Sequence, residues 1–153
     1  MGSSIGRRQD PEARAARHAS RAGTTYARFI RNVAEAGGYT VGNAERYAAS
    51  VIATLEERLP IREVHGLEAQ LPSRLDDILA FVPLIAMPTM DRDAFCARVA
   101  ARLDVTEARA EAIARTVFDV LRAQISEGEA RRVEARLPGD MRSLWRSPYP
   151  AHD

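Results

Sequence analysis

Apolar residues recur at spacings of three and four along most of the chain, which is the pattern of amphipathic α-helices. One stripe consists of Ala44, Tyr47, Ala48, Val51, Ile52 and Leu55, and another of Ala110, Ile113, Ala114, Val117, Phe118 and Leu121. A shorter stripe of Phe95, Val99 and Leu103 precedes the second one. No segment shows sustained alternation of apolar and polar residues, so we expect an all-α protein.

Capping signals place the starts of three helices. Asp91 is predicted to cap the helix that carries Phe95. Asp104 with Glu107 suits a capping box for the long helix that follows, because the two side chains are three residues apart. Ser126 with Glu129 suits a second box, in which serine caps the helix and Glu129 reaches back.

Glycine and proline residues indicate where the predicted helices end. Gly37-Gly38 is predicted to end the first helix, where glycine supplies a positive φ. The helix that starts near Ser126 should run to about Arg136, because Pro138 disfavours helical geometry at the residue before it. A last short helix is expected over 140–145, with Leu144 and Trp145 on the core.

The two halves of the chain resemble each other. A shift of 66 residues aligns 29–79 with 95–145 without a gap and gives fourteen identical positions, against roughly four expected by chance for this composition. Non-identical pairs keep their apolar character, as in Ile52 with Phe118 and Leu79 with Trp145. We expect two homologous repeats of about fifty residues, packed as one pseudo-two-fold helical domain. The alternative is two independent units on a linker.

This duplication divides the chain. Repeat one covers 25–79, an apolar bridge 80–90, and repeat two 91–146, with a C-terminal tail at 147–153. Residues 1–24 form a basic segment without large apolar residues from Ala13 to Gly23, which favours a mobile tail or a loosely docked helix. An arm that contacts nucleic acid or an acidic protein is the alternative for this segment.

The bridge is unusually apolar for a connection. It carries Phe81, Leu84 and Met87, and two prolines interrupt it. One interpretation is a strap that packs across both repeats and closes their shared core. The other is an exposed patch for a partner or for self-association.

Composition excludes several classes of protein. The chain has 22 basic and 21 acidic residues and a net charge of +1, which excludes a strongly charged nucleic-acid or membrane binder. One cysteine excludes an intrachain disulfide and a cysteine-rich zinc site. The longest apolar run, Ile78 to Met87, is far shorter than the roughly 20 residues of a membrane span. No charged-then-apolar leader opens the chain, so we expect a cytoplasmic protein.

The sequence offers little catalytic or cofactor-binding chemistry. The three histidines, His18, His65 and His152, lie far apart in the sequence, and His65 is expected on a solvated helix face. Cys96 aligns with Ile30 and should be a small buried residue rather than a reactive thiol. No nucleophile elbow or phosphate-binding glycine loop is present. We therefore expect no catalytic residue, no cofactor and no metal.

Three glutamates recur in both repeats, with Glu45 matching Glu111, Glu63 matching Glu129 and Glu68 matching Glu134. Carboxylates paired across an internal dyad can hold two metal ions in helical bundles, but those sites also use Glu-x-x-His, which neither repeat has. Glu129 is expected to act as a capping partner, and Glu68 and Glu134 to form ion pairs with arginines. These glutamates are therefore interpreted as structural.

Several segments carry a family resemblance. The runs Val117 to Leu121, Ile125 to Glu129, Ala135 to Pro138 and Leu144-Trp145 resemble the second half of the bacterial domain family DUF2267. Leu55 to Pro60 and Ala69 to Pro72 are the matching runs of the first half, so that the resemblance covers roughly residues 26–146. It implies a tandem helical repeat, transfers no activity or catalytic residue, and carries a weak expectation of a role in bacterial stress responses.

Together these observations predict a non-catalytic helical interaction module. Its candidate surface consists of Phe81, Leu84 and Met87 on the bridge, and of Arg131, Arg132 and Arg136 near the Ser126 helix. The partner is predicted to be an unknown protein or a second copy of the chain. Binding to a membrane is not expected. The alternative is a nucleic-acid-associated protein that uses the N-terminal arm together with the arginine face.

Overall fold

The computed structural model of the protein describes residues 26–146. Within this range the chain forms eight helices and no strand, which confirms the all-α prediction. The helices are α1 (26–37), α2 (Val41–Arg58), α3 (Ile61–Glu68), α4 (Ser73–Leu79), α5 (Arg92–Leu103), α6 (Glu107–Gln124), α7 (Glu127–Ala135) and α8 (Gly139–Arg146). The predictions for the basic N-terminal segment and for the C-terminal tail lie outside the described residues.

Side chains with an oxygen acceptor cap the N-termini of α2, α5 and α6. Thr40 caps α2 and Thr106 caps α6, each accepting the backbone N–H three residues further on at 3.1 Å. Asp91 caps α5 in the same way at 2.9 Å, as predicted. Each cap satisfies one of the N–H groups that a helix start leaves without a partner.

Asp104 has a different role from the predicted one. It does not cap α6 but ends α5 in the left-handed conformation, with φ of 58°. Thr106, two residues later, is the cap. Gly38 takes the same conformation after α1, with φ of 70°, which confirms the glycine prediction there. Aspartate tolerates positive φ better than most residues because its short side chain bonds locally.

Only half of the predicted capping box at Ser126 forms. The Ser126 hydroxyl accepts the N–H of Glu129 at 3.0 Å, as predicted. The prediction of the reciprocal bond is wrong. The N–H of Ser126 donates to Oε1 of Gln70 at 2.6 Å, and Glu129 accepts from Arg132. The Gln70 bond joins the loop after α3 to the start of α7.

The helices bury their apolar stripes in one continuous core. Helix α2 packs against α5 and α6, α3 against α7, and α8 against α5, α6 and α7. Phe95, Phe118 and Trp145 form a row of ring contacts, with centroids 5.6 Å and then 5.1 Å apart. Leu144 and Trp145 are buried, as predicted for the last helix.

The helix pattern recurs along the chain. Val41 and Glu107, Ile61 and Glu127, and Ser73 and Gly139 begin successive pairs of helices, and the two members of each pair start 66 residues apart. Helices α1 and α5 keep the same offset. The offset that aligns the sequence halves therefore also aligns their secondary structure.

The bridge between α4 and α5 is exposed. Phe81 is 88% exposed, Ile85 55% and Leu84 47%, whereas Met90 at its end is buried. The interpretation as a strap whose apolar side chains close the core is wrong for most of the bridge, because these side chains point away from the core. The exposed-patch alternative describes it.

Candidate interaction surface

The backbone of the bridge is fixed to the end of α2. The N–H of Met87 donates to the carbonyl of Glu57 at 2.7 Å, and the N–H of Ile85 donates to the Glu57 carboxylate at 3.3 Å. From the other direction, Nε of Arg58 donates to the carbonyl of Met90 at 2.7 Å. The bridge is therefore held in place although its apolar side chains face solvent.

Glu57 links α2, α5 and the bridge. Its carboxylate is buried and pairs with Arg98 and with Arg102, whose Nη2 lies 2.8 Å away. Burial alone would raise the pKa of Glu57, but hydrogen bonds from the two arginines hold it below its ordinary value. Arg102 also donates to Thr54 at 2.7 Å, and Thr54 donates to the carbonyl of Ser50. Glu57 is thus ionised and fully engaged.

An apolar groove of about 500 Å³ lies beside the bridge on the outer side of α5. Its lining residues are Met87, Met90, Ala94, Ala97, Arg98, Ala101 and Arg102. Three alanines of α5 form its floor, at helical spacings that put them on one face. Such a floor lets a second helix approach closely.

The predicted arginine surface is engaged in ion pairs. Arg132 donates to Glu129 at 2.9 Å, and Nε of Arg136 lies 3.7 Å from Glu63. Arg131 is the most exposed of the three, with Nη1 3.9 Å from a carboxylate oxygen of Glu127. These arginines belong to α7 and its end, which packs on α3 and α8, whereas the bridge is fixed to α2.

Glu63 and Glu129 come together between α3 and α7. Both are buried, and burial together with a hydrogen bond that protonated Glu129 donates to Glu63 raises the pKa of Glu129. Gly66 makes room for the pair, because a Cβ there would lie 3.2 to 3.3 Å from carboxylate oxygens of both residues. The equivalent glutamates of the two repeats, Glu63 and Glu129, thus form a carboxyl pair, and Arg132 and Arg136 are its neighbours.

The other recurring glutamates lie elsewhere. Glu45 accepts a hydrogen bond from Tyr26 at 2.8 Å. Glu111 forms ion pairs with Arg92 and Arg115. Glu134 forms an ion pair with Arg146 at 3.0 Å. The ion-pair prediction for Glu134 is confirmed. Glu68 lies beside two further acids, one on α2 and one on α4, and its ion pair stays a prediction.

Within residues 26–146, no group of three or more histidine, cysteine, aspartate or glutamate side chains could hold a metal ion. His65 is exposed, as expected. Cys96 is buried, and burial raises the pKa of its thiol to about 11, with a smaller contribution from Glu111. Such a thiol is protonated and unreactive near neutral pH.

Sequence reasoning missed the network that orders the bridge. Glu57 follows another glutamate near the end of an amphipathic helix and aligns with Ala123, so the repeat gave no reason to select it. Arg98 and Arg102 are four residues apart and therefore share one face of α5. That spacing, opposite an acidic residue on α2, is the signal that could have found the network.

The described chain is an all-helical protein with a preorganised, exposed apolar surface. A family model described as "Uncharacterized conserved protein (DUF2267)" matches residues 26–144, and the chain belongs to this family. No match is found among curated proteins.

None of the helices in residues 26–146 combines the length and apolar character that a membrane crossing requires.

Proposed function

We propose that this protein is a non-catalytic interaction module of a bacterial cytoplasm, and that the bridge with the α5 groove is its docking surface. The observation that carries the proposal is the combination of a hydrogen-bonded bridge backbone with exposed Phe81, Leu84 and Ile85 side chains. Monomeric proteins rarely leave contiguous apolar patches in water without an interaction that uses them.

The order of the bridge favours binding. A flexible loop loses conformational entropy when it docks, and this loss reduces affinity. Here the bonds to Glu57 and from Arg58 fix the backbone before a partner arrives. The apolar side chains are thus presented in advance.

The occupant that fits the groove is an amphipathic helix with an acidic flank. Its apolar face would lie on Ala94, Ala97 and Ala101, as helices do in hydrophobic grooves. Arg98 and Arg102 line the groove and share one carboxylate, Glu57, so the rim keeps net positive charge. Acidic residues beside the apolar stripe would complement it.

We also propose that the two sequence repeats pack around an approximate two-fold axis. Support comes from the equal helix offsets and from the contacts of α2 with α6 and of α3 with α7, which are pairs of equivalent helices. A two-fold axis brings equivalent elements together in this way. One shared core would then explain how repeats of about fifty residues are stable.

The test of the docking surface is Phe81→Ser, with Val41→Ser as the matched control. Phe81 is 88% exposed and Val41 59%, so each change should alter the free energy of unfolding by less than about 0.5 kcal/mol. Proteins that co-purify from native cells with the wild type should be lost with Phe81→Ser and kept with Val41→Ser. A synthetic helical segment of such a partner, titrated by fluorescence anisotropy, should show the same difference.

Equal retention of the partners by both variants would contradict the docking surface. Sedimentation of the purified protein identifies the case in which the occupant is a second copy. Recovery of a small molecule or a metal in place of a macromolecule would overturn the interaction-module proposal itself.

Nucleic-acid association through the N-terminal arm stays the second hypothesis. The ion pairs of Arg132 and Arg136 with glutamates weigh against the arginine face as a phosphate-binding surface, because both guanidinium groups already face carboxyl groups of the protein. Salt separates the two functions. Phosphate-driven binding should weaken steeply between low and physiological salt and disappear when residues 1–22 are deleted, whereas apolar docking should persist.

A further inference from the structure

A second cavity lies beside α2. It has a volume of about 370 Å³ and is bounded by α2, α3, α4 and the start of the bridge. Its lining residues are Ala53, Glu56, Glu68, Asp76, Leu79, Ala80, Val82, Pro83 and Leu84. We call it the acidic cavity, because its charged groups are three carboxyls among apolar walls.

Two of the carboxyls have buried oxygens without a hydrogen-bond donor. Glu56 is only 5% exposed, and its Oε2 atom has no partner within the described residues. Oδ1 of Asp76 is also buried and has no hydrogen-bond partner within the described residues. A buried carboxyl oxygen without a donor is costly, so such groups usually have a partner. Both residues line the acidic cavity.

The second half of the chain carries the opposite charge at two of the aligned positions. At the offset of 66 residues, Glu56 aligns with Arg122 and Asp76 with Arg142, while Glu68 aligns with Glu134. Acids of the first half thus align with guanidinium groups in the second.

The two halves also differ in the size of the side chain at one aligned position of the cavity wall. Leu79 lines the acidic cavity, and its counterpart in the second half is the larger Trp145, which is buried against Phe118. The first half therefore has a smaller side chain where the second has a bulky one. The first half lacks both positive charge and volume at this place.

We propose that the acidic cavity binds an organic cation that carries a guanidinium or primary ammonium group on a short aliphatic stem. The cationic group would donate hydrogen bonds to Glu56, Asp76 and Glu68, and charge-assisted bonds of this kind are the strong ones. The stem would lie on Ala53, Leu79 and Val82, as the stems of buried arginine and lysine side chains lie on apolar surface. The proposal goes beyond the docking function and does not depend on it.

The pKa values of Glu56 and Asp76 also support the binding of a cation. Burial, followed by a hydrogen bond that protonated Glu56 donates to Glu68 and by repulsion from the Glu68 charge, raises the pKa of Glu56 to about 9. Burial, followed by repulsion from Glu68 and Asp77, raises the pKa of Asp76 to about 6. The bridge contributes only the apolar residues Ala80, Val82, Pro83 and Leu84 to the lining of this cavity, so Glu68 on α3 and Asp76 on α4 are the charged groups that face Glu56. A bound cation would reverse these shifts and expel a proton.

The experiment is a calorimetric titration of the full chain with agmatine, which joins a guanidinium to an ammonium through an alkyl chain. Butylurea, an uncharged guanidinium analogue, is the matched probe. The matched variants are Glu56→Gln and Glu134→Gln, since the second removes a recurring glutamate outside the cavity. Glutamine resembles the protonated form that Glu56 adopts at neutral pH, so the first variant should fold.

We expect the wild type to bind agmatine and not butylurea. Glu56→Gln should weaken binding about tenfold or more, while Glu134→Gln and Phe81→Ser leave it unchanged. Binding should tighten as the pH rises towards about 9, with release of a proton, because the ionised form of Glu56 accepts the cation. Unchanged agmatine binding in Phe81→Ser separates this site from the docking surface.

A peptide with one arginine, compared with its citrulline form, identifies the source of the cation. Tighter binding of the arginine peptide than of agmatine indicates a protein side chain, and the reverse indicates a free small molecule. The proposal is overturned by any of three results: no binding of either cation, equal binding by Glu56→Gln, or a Glu56-dependent preference for Mg²⁺ or Ca²⁺ over agmatine.

Discussion

Two exposed residues show how single positions shape this chain. Gly38 and Asp104 follow α1 and α5, lie 66 residues apart, and both take positive φ. Glycine adopts this conformation without steric cost, whereas a residue with a Cβ does not. The same backbone requirement is thus met by different residues in the two halves.

Asp104→Gly should raise the free energy of unfolding by about 0.5 kcal/mol, and Gly38→Ala should lower it by about 1 kcal/mol. A Cβ at Gly38 would meet no atom within 4 Å, so its effect comes from the backbone alone. Urea denaturation of the two variants measures both changes. A neutral or stabilising Gly38→Ala would show that positive φ is not required there.

At the scale of helices and connections, Glu57 decides the position of the bridge. Its carboxylate is buried, whereas Arg98 and Arg102 keep partial contact with solvent. Loss of the carboxylate would leave two unpaired arginines, which can turn towards water, and would free the N–H of Ile85. The cost should therefore be that of a few charge-assisted hydrogen bonds.

Glu57→Ala should lower the free energy of unfolding by about 2–3 kcal/mol at neutral pH. Because the pKa of Glu57 is lowered, its contribution is present above the ordinary value of 4.5 and is lost as the pH falls through the lowered pKa. The difference between wild type and variant should thus shrink in acid. Glu127→Ala, at an exposed carboxylate, is the control and should change stability by less than about 0.5 kcal/mol. A similar loss in both variants would contradict the role of Glu57.

Most of the element pattern was accessible from the sequence. Helical periodicity, the Asp91 and Ser126 caps and the glycine after α1 are local signals, and each is confirmed. The errors are of a different kind. Asp104 looked like a cap because local sequence does not tell which of two nearby polar residues the chain places at the helix start. The exposure of the bridge depends on long-range hydrogen bonds that no periodicity reveals.

At the scale of the molecule, one apolar core joins all the described helices and leaves Phe81, Leu84 and Ile85 of the bridge exposed. The same long-range contacts separate the predicted site residues. Phe81, Leu84 and Met87 are presented by the bridge, whereas Arg132 and Arg136 serve the Glu63–Glu129 pair. The acidic cavity has the same origin, because it arises where three helices and the bridge meet. None of these juxtapositions is encoded within a single helix.

Hydrogen exchange of the free protein tests the central claim, which is that the apolar bridge is both held and exposed. The backbone amides of Ile85, Met87 and Met90 donate hydrogen bonds, so they should exchange on the order of a hundredfold or more slower than an unstructured chain. The amide of Leu84 serves as the neighbouring comparison. Exchange of the three amides at the rate of an unstructured peptide would contradict the account, because the bridge would then be a mobile linker rather than a preorganised surface.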